Sequence, residues 1–120
     1  MDPVPDPPLR LVVVDNDPAV LELVLLDLGL EGHQVVATAS NGEGAVRVCT
    51  EADPDVVVLD FRLGPGIDGI EVARRIRRPG RRVILYTNYI SPAVIRGAEG
   101  AGATVVEKGN LSTLRRAVVG

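Results

Sequence analysis

Aromatic residues are nearly missing from this chain of 120 residues: one Phe, two Tyr and no Trp, or 2%. Any core must therefore be filled by Val, Leu, Ile and Ala, which the 46% hydrophobic content supplies. A single cysteine, Cys49, excludes an internal disulfide and fits a reducing compartment. It reads as a small core residue. A single histidine, His33, has no Cys or second His near it, so it is a poor metal ligand and serves no Ser-His-Asp arrangement. We expect it on the surface. No apolar run approaches the roughly 20 residues of a membrane span. The net charge of −3 gives no general pull toward nucleic acid or anionic lipid. The start, Met1 to Pro8, lacks a basic segment followed by an apolar one, so it does not read as a secretion signal. Its prolines predict a flexible lead-in over residues 1–8, with one domain over 9–120 and a cytoplasmic location. Lysine is also scarce: twelve of the thirteen basic residues are Arg, and the only Lys is Lys108.

What the chain does contain is a regular alternation. Short β-branched runs near Leu9–Val14, Gln34–Ala39, Val56–Leu59, Val83–Thr87 and Thr104–Glu107 read as strands. Helical patterns follow each one. Asp17-Pro18 opens the first, with Asp17 as N-cap and Pro18 at the first helical position. It is expected to run to about Leu28, with Val20, Leu21, Val24, Leu25 and Leu28 against the sheet. Leu23, Leu26 and Leu30 form a second stripe, for which a neighbouring helix of the same chain is the expected cover and a partner subunit the alternative. Later helices are expected near 43–50, 69–78, 92–99 and 111–119. Arg74, Arg75, Arg77, Arg78, Arg81 and Arg82 crowd the end of the third, read as a solvated face matched to the helix dipole. Without interleaved aromatics they make a weak nucleic-acid site. Glycines at 97, 100 and 102 predict a mobile fourth helix. Five β-α units imply an α/β fold, a doubly wound parallel sheet with helices on both faces.

Four of the strands end on polar residues that carry chemistry. Leu11-Val12-Val13-Val14 runs into Asp15-Asn16-Asp17, Val56-Val57-Val58-Leu59 into Asp60, Leu85-Tyr86 into Thr87, and Val106-Glu107 into Lys108. In open α/β sheets ligands bind at that edge. Clustered carboxylates require a cation, and hard oxygen ligands suit Mg²⁺. A carboxylate beside Mg²⁺ can act as nucleophile toward phosphorus. A hydroxyl and an ammonium can then stabilise charge on the transferred group. Asp60, Thr87 and Lys108 fit those three roles.

Taken in order, Val12-Val13-Val14-Asp15-Asn16-Asp17-Pro18, Val57-Val58-Leu59-Asp60-Phe61-Arg62-Leu63, Asp68-Gly69, Thr87 and Ala101-Gly102-Ala103 before Lys108 resemble the receiver domain of two-component response regulators. The resemblance covers about residues 9–119. It implies a flavodoxin-like sheet of five strands ordered 2-1-3-4-5. It further implies that Asp60 accepts phosphate from a histidine kinase, and that Asp15, Asp60 and the Arg62 backbone carbonyl hold Mg²⁺. Thr87 and Lys108 would contact the phosphoryl group. The helix 4–strand 5–helix 5 face would switch, contacting an output domain or a second copy. No enzymatic activity, membrane contact or direct nucleic-acid binding is implied. The chain departs from the family at four places. Asn16 stands where a second acid is usual, so Asn16 or Asp17 must complete the metal pocket. Val105 replaces the usual switch aromatic, with Tyr86 and Tyr89 the only nearby rings. Gly109 stands where a proline is common, and the loop after Asp60 is one residue longer at Gly64. These departures motivate an alternative, a degenerate receiver that binds without phosphate. A more distant alternative is a haloacid-dehalogenase-like phosphatase, suggested by Asp15-Asn16-Asp17.

Overall fold

The computed structural model describes residues 8–120. Residues 1–7 of the expected lead-in over 1–8 lie outside the described residues. The elements run β1 (Arg10–Val14), α1 (Pro18–Leu30), β2 (Gln34–Ala39), α2 (Gly42–Ala52), β3 (Val56–Leu59), α3 (Gly69–Ile76), β4 (Arg82–Thr87), α4 (Pro92–Gly100), β5 (Ala103–Glu107) and α5 (Leu111–Val119). The strands form one parallel sheet in the order β2-β1-β3-β4-β5. That is the expected α/β topology. β3 lies at the centre, and all four of its residues are buried, as a strand covered on both faces must be.

Alternate residues of the strands feed two cores. Val12, Val14, Val57, Leu59, Val83 and Leu85 pack with α2, α3 and α4. Leu11, Val13, Val56, Val58, Ile84 and Tyr86 pack with α1 and α5. Five helices therefore cover both faces, and every strand leads its C-terminal residue to the same rim. The helix starts are fixed by side-chain caps: Asp17 on Ala19 N, Asn41 on Gly44 N, Asp68 on Glu71 N, Ser91 on Val94 N and Asn110 on Thr113 N.

Several local expectations are corrected. α1 runs two residues past Leu28, and its second leucine stripe has no cover among the described residues. Leu23, Leu26 and Leu30 are 50%, 61% and 79% exposed. α5 shares the core with the other face of α1 and adds an ion pair, Arg115 to Asp27 at 2.7 Å, but leaves the second stripe exposed. His33 is buried rather than on the surface, with its backbone N–H donating to Leu28 O, which turns the chain back at the end of α1. α3 ends at Ile76 instead of Arg78, since Pro79 holds the residue before it away from helical geometry. The arginines beyond it are not all solvated. The Arg81 side chain is only 6% exposed and binds Asp53, Pro54 O and Ile76 O. Arg78 joins it on Asp53 and Pro54 O. Together they clamp the Asp53-Pro54 turn, where Asp53 takes a left-handed φ of 47°.

Candidate functional site

Asp15, Asp60 and Thr87 are the buried polar side chains at the C-terminal rim. Asp15 follows β1 and Asp60 follows β3, which are neighbours in register through Val14 and Leu59. Thr87 ends β4, and its carbonyl accepts the Lys108 N–H at 3.1 Å. Four segments far apart in sequence thus meet at one place.

Lys108 ties them together. Its Nζ lies 2.9 Å from Asp15 Oδ2 and 2.7 Å from Asp60 Oδ2. The other carboxylate oxygens are also engaged: Asp15 Oδ1 accepts from Asp17 N at 2.9 Å, and Asp60 Oδ1 accepts from Phe61 N at 2.7 Å. Two buried carboxylates this close would repel without a cation, and the ammonium supplies it. Burial works against the charge on Lys108. The hydrogen bonds and charges of Asp15 and Asp60 outweigh that burial, so its pKa moves up. With two anions and one cation, the site keeps one negative charge in excess.

Gly69 fixes the entrance to α3. A Cβ there would fall 2.1 Å from the Asp60 carbonyl oxygen, so only glycine lets α3 start against the end of β3. One departure from the family pattern, Gly109, has a structural reason. Gly109 takes φ 92°, and its N–H donates to Tyr86 Oη at 2.8 Å. A proline could provide neither the dihedral nor the donor. Tyr86 is therefore anchored in the core beneath α5, through a bond that sequence reading, which noted it only as one of two rings near Val105, missed. Two tyrosines in a chain so poor in rings were the available signal.

The remaining expected residues are distributed around the rim. Asp17 is exposed, and its carboxylate caps α1. Asn16 is exposed and lines a cavity of about 720 Å³ with Ser40, Asn41, Arg47 and Gly64. Arg62 is exposed, with its guanidinium 4.1 Å above the Tyr89 ring. Thr87 Oγ1 accepts from Tyr89 N at 3.1 Å. Val105 is half-buried on β5. Among the described residues no group of three His, Cys, Asp or Glu side chains is arranged to hold a metal. Mg²⁺ does not need three, since one or two carboxylates with retained waters suffice. Asp15 and Asp60, buried side by side and drawn to one cation, are hard oxygen donors of the kind Mg²⁺ takes, so the chemistry of the donor set fits.

A doubly wound sheet with an acid pair, a hydroxyl and a lysine at its C-terminal rim is the arrangement of a signalling receiver. The comparisons agree: the response regulator receiver domain profile matches residues 11–118, and this chain belongs to that family. It is the receiver domain of a two-component response regulator, a signalling module, which sets aside the phosphatase alternative. It is 44% identical over 75 residues to the transcriptional regulatory protein AfsQ1 of Streptomyces coelicolor, covering 62% of this chain and 32% of that protein. It is 33% identical over 116 residues to the probable transcriptional regulatory protein NarL of Mycobacterium tuberculosis, covering 92% of this chain and 53% of that protein. The chain thus spans about half or less of these curated relatives. The solved receiver domain of NarL from Mycobacterium tuberculosis superposes with a TM-score of 0.81 at 32% identity, covering 92% of this chain and 97% of that one. No helix among the described residues is long and apolar enough to cross a membrane.

Proposed function

We propose that this receiver accepts a phosphoryl group on Asp60, with a histidine kinase as donor and Mg²⁺ as cofactor. The observation that carries the reading is the Lys108 ammonium held between the Asp60 and Asp15 carboxylates. In the transfer, an Asp60 oxygen forms the new O–P bond while the P–N bond to the donor imidazole breaks. The electron pair stays on the imidazole nitrogen. Catalysis of such a step is mostly positioning and charge stabilisation. Lys108 is placed to keep one phosphoryl oxygen paired. Thr87 has an uncommitted hydroxyl proton, since its bond with Tyr89 is as acceptor, and can donate to another. Asp15, Asp60 and the Arg62 carbonyl would hold Mg²⁺, with Asn16 completing the set while Asp17 stays at the α1 cap; the ion supplies positive charge beside the transferred group.

The test is intact mass after incubation with Mg²⁺ and a small phosphodonor. Wild type should gain one phosphoryl group and Asp60→Ala none. An unlabelled wild type, under conditions that label an ordinary receiver, favours the second reading, a phosphate-independent binding module. Asn16 in place of an acid and Val105 in place of a ring support that reading. In the phospho-accepting reading the segment from Ser91 to Lys108 changes on phosphorylation. It presents the α4-β5-α5 face to an output domain or a second copy. Equal hydrogen exchange there with and without beryllofluoride would remove this part.

A further inference from the structure

Two of the chain's departures from the family pattern, Asn16 and Gly64, border the same cavity of about 720 Å³. It lies between the ends of β1 and β2, the first turns of α2 and the loop after β3. Its volume falls within the range of about 300–1,000 Å³ usual for small-molecule sites. It also opens at the edge of the sheet where doubly wound folds bind their ligands. The walls are tied together. Ile67 closes directly on α2, since a Cβ at Gly42 would fall 2.5 Å from the Ile67 carbonyl oxygen. Glu43, the one acid on the wall, is engaged by the same loop: its Oε1 accepts from Ile67 N at 3.3 Å. The polar groups that remain are donors. Arg47 makes no ion pair or side-chain hydrogen bond among the described residues, and the Asn16 amide and Ser40 hydroxyl have no partner there either. Asn41 gives its Oδ1 to Gly44 N at 2.7 Å and keeps its NH₂ free.

We propose that this cavity binds a phosphate dianion, free or as the head of a small phosphomonoester, with Arg47 as its cation and Asn16, Ser40 and Asn41 as neutral donors. A guanidinium presents parallel N–H groups that match two oxygens of a phosphate. An acid at position 16 would put negative charge on the wall and offer no donor. The asparagine amide carries both an oxygen and an NH₂, so it can serve the metal pocket with one and the cavity with the other. Leu63 and Pro65 give the carbon part of an ester an apolar surface. The site differs from the phosphorylation centre: the anion stays non-covalent, and it meets Arg47 rather than Lys108.

The test is an NMR titration of the ¹⁵N-labelled chain without Mg²⁺, with inorganic phosphate and phenyl phosphate as the two probes. The readout is the side-chain amides of Asn16 and Asn41 and the backbone amides of Ser40 and Gly64. Both probes should shift these signals saturably. Tighter binding of phenyl phosphate assigns an ester as the ligand, and equal binding assigns free phosphate. Arg47→Gln should weaken binding by about tenfold or more, the loss of a charge-assisted hydrogen bond. Arg47 is exposed on α2, so the change leaves the fold in place. Asn16→Asp should weaken binding as well. Arg116→Gln, at an exposed arginine of α5, should leave it unchanged. A wild type with no saturable shift overturns the proposal, as does an Arg47→Gln protein that binds like wild type. An Arg116→Gln protein that loses as much as Arg47→Gln also overturns it, since the attraction is then to charge in general. No step involves Asp60, so failure here leaves the phospho-accepting reading standing.

Discussion

Replacing Lys108 with Met keeps the aliphatic stem and removes the charge that joins Asp15 to Asp60. At contact distances of 2.7 and 2.9 Å, the ammonium is the sole cation paired with these two buried carboxylates among the described residues. With an effective dielectric near 20, each such pair attracts by about 5–6 kcal/mol. Desolvation of three charged groups offsets most of that. The net cost of removing one partner from a buried pair is about 3–5 kcal/mol, because the other is left uncompensated. Here the Lys108 side chain keeps 15% exposure, so water can partly replace it. We expect a loss of about 2–4 kcal/mol at pH 7 without Mg²⁺. In urea that lowers the midpoint by about 1–2 M, followed by far-ultraviolet circular dichroism because aromatic probes are scarce. Added Mg²⁺ should recover part of the loss in Lys108→Met, since the ion meets the same oxygens. The pH dependence has a defined sign. The folded pKa of Lys108 lies above its ordinary 10.5, so its contribution is complete below that value. It is lost as pH rises through the higher folded value. A Lys108→Met protein as stable as wild type at pH 7 in the absence of Mg²⁺ would refute the reasoning.

Gly69→Ala should be strongly destabilising, by about 3 kcal/mol or more, because its Cβ would strike the Asp60 carbonyl; urea melts and Asp60 labelling should fall together. Burial pushes the Cys49 thiol up to about 11, so native protein should react slowly with a disulfide reagent at pH 8 and rapidly once unfolded. Burial lowers the His33 pKa against an opposing pull from Glu31. Its stabilising contribution is therefore present above its ordinary 6.5 and lost as pH falls through the lower folded value. Urea midpoints between pH 7 and 5 should decline less in His33→Gln than in wild type. Leu26→Gln should change stability by less than about 0.5 kcal/mol, since Leu26 is 61% exposed among the described residues.

The five β-α units and the convergence at the rim were legible because they rest on strong local patterns, whereas the strand order came from the family resemblance. β-branched runs ended on polar residues, and Asp17-Pro18 marked a helix start. β2 and α5 have the boundaries their patterns implied. What was not legible depended on tertiary contacts. Nothing in the neighbourhood of His33 says that it will be buried. The arginine cluster looked solvated because the residue that organises it, Asp53, lies 25 positions before Arg78 and 28 before Arg81. The leucines at 23, 26 and 30 have the spacing of a buried stripe, yet only the placement of α5 decides that they stay exposed. The Tyr86–Gly109 bond joins positions 23 apart and needs both residues to be recognised.

The scarcity of lysine bears on the chemistry of the site. Elsewhere in this chain cationic contacts are made by planar guanidinium groups: Arg81 fills a fixed pocket with three bonds, and Arg115 engages both oxygens of Asp27. Between Asp15 and Asp60 the geometry differs. Two carboxylates from different strands each present one Oδ2 to a common point, which a compact ammonium can occupy and a broad fork cannot. A flexible four-carbon stem also lets that charge follow an oxygen that moves. Lys108→Arg should therefore keep the charge but not the bridge. Its guanidinium would engage one carboxylate bidentately and leave the other short of a cation. Stability should fall by less than in Lys108→Met, while the yield of phosphorylated Asp60 falls about as far. An arginine variant that takes up phosphate as readily as wild type would show that charge alone, and not its compact shape, is what the rim requires.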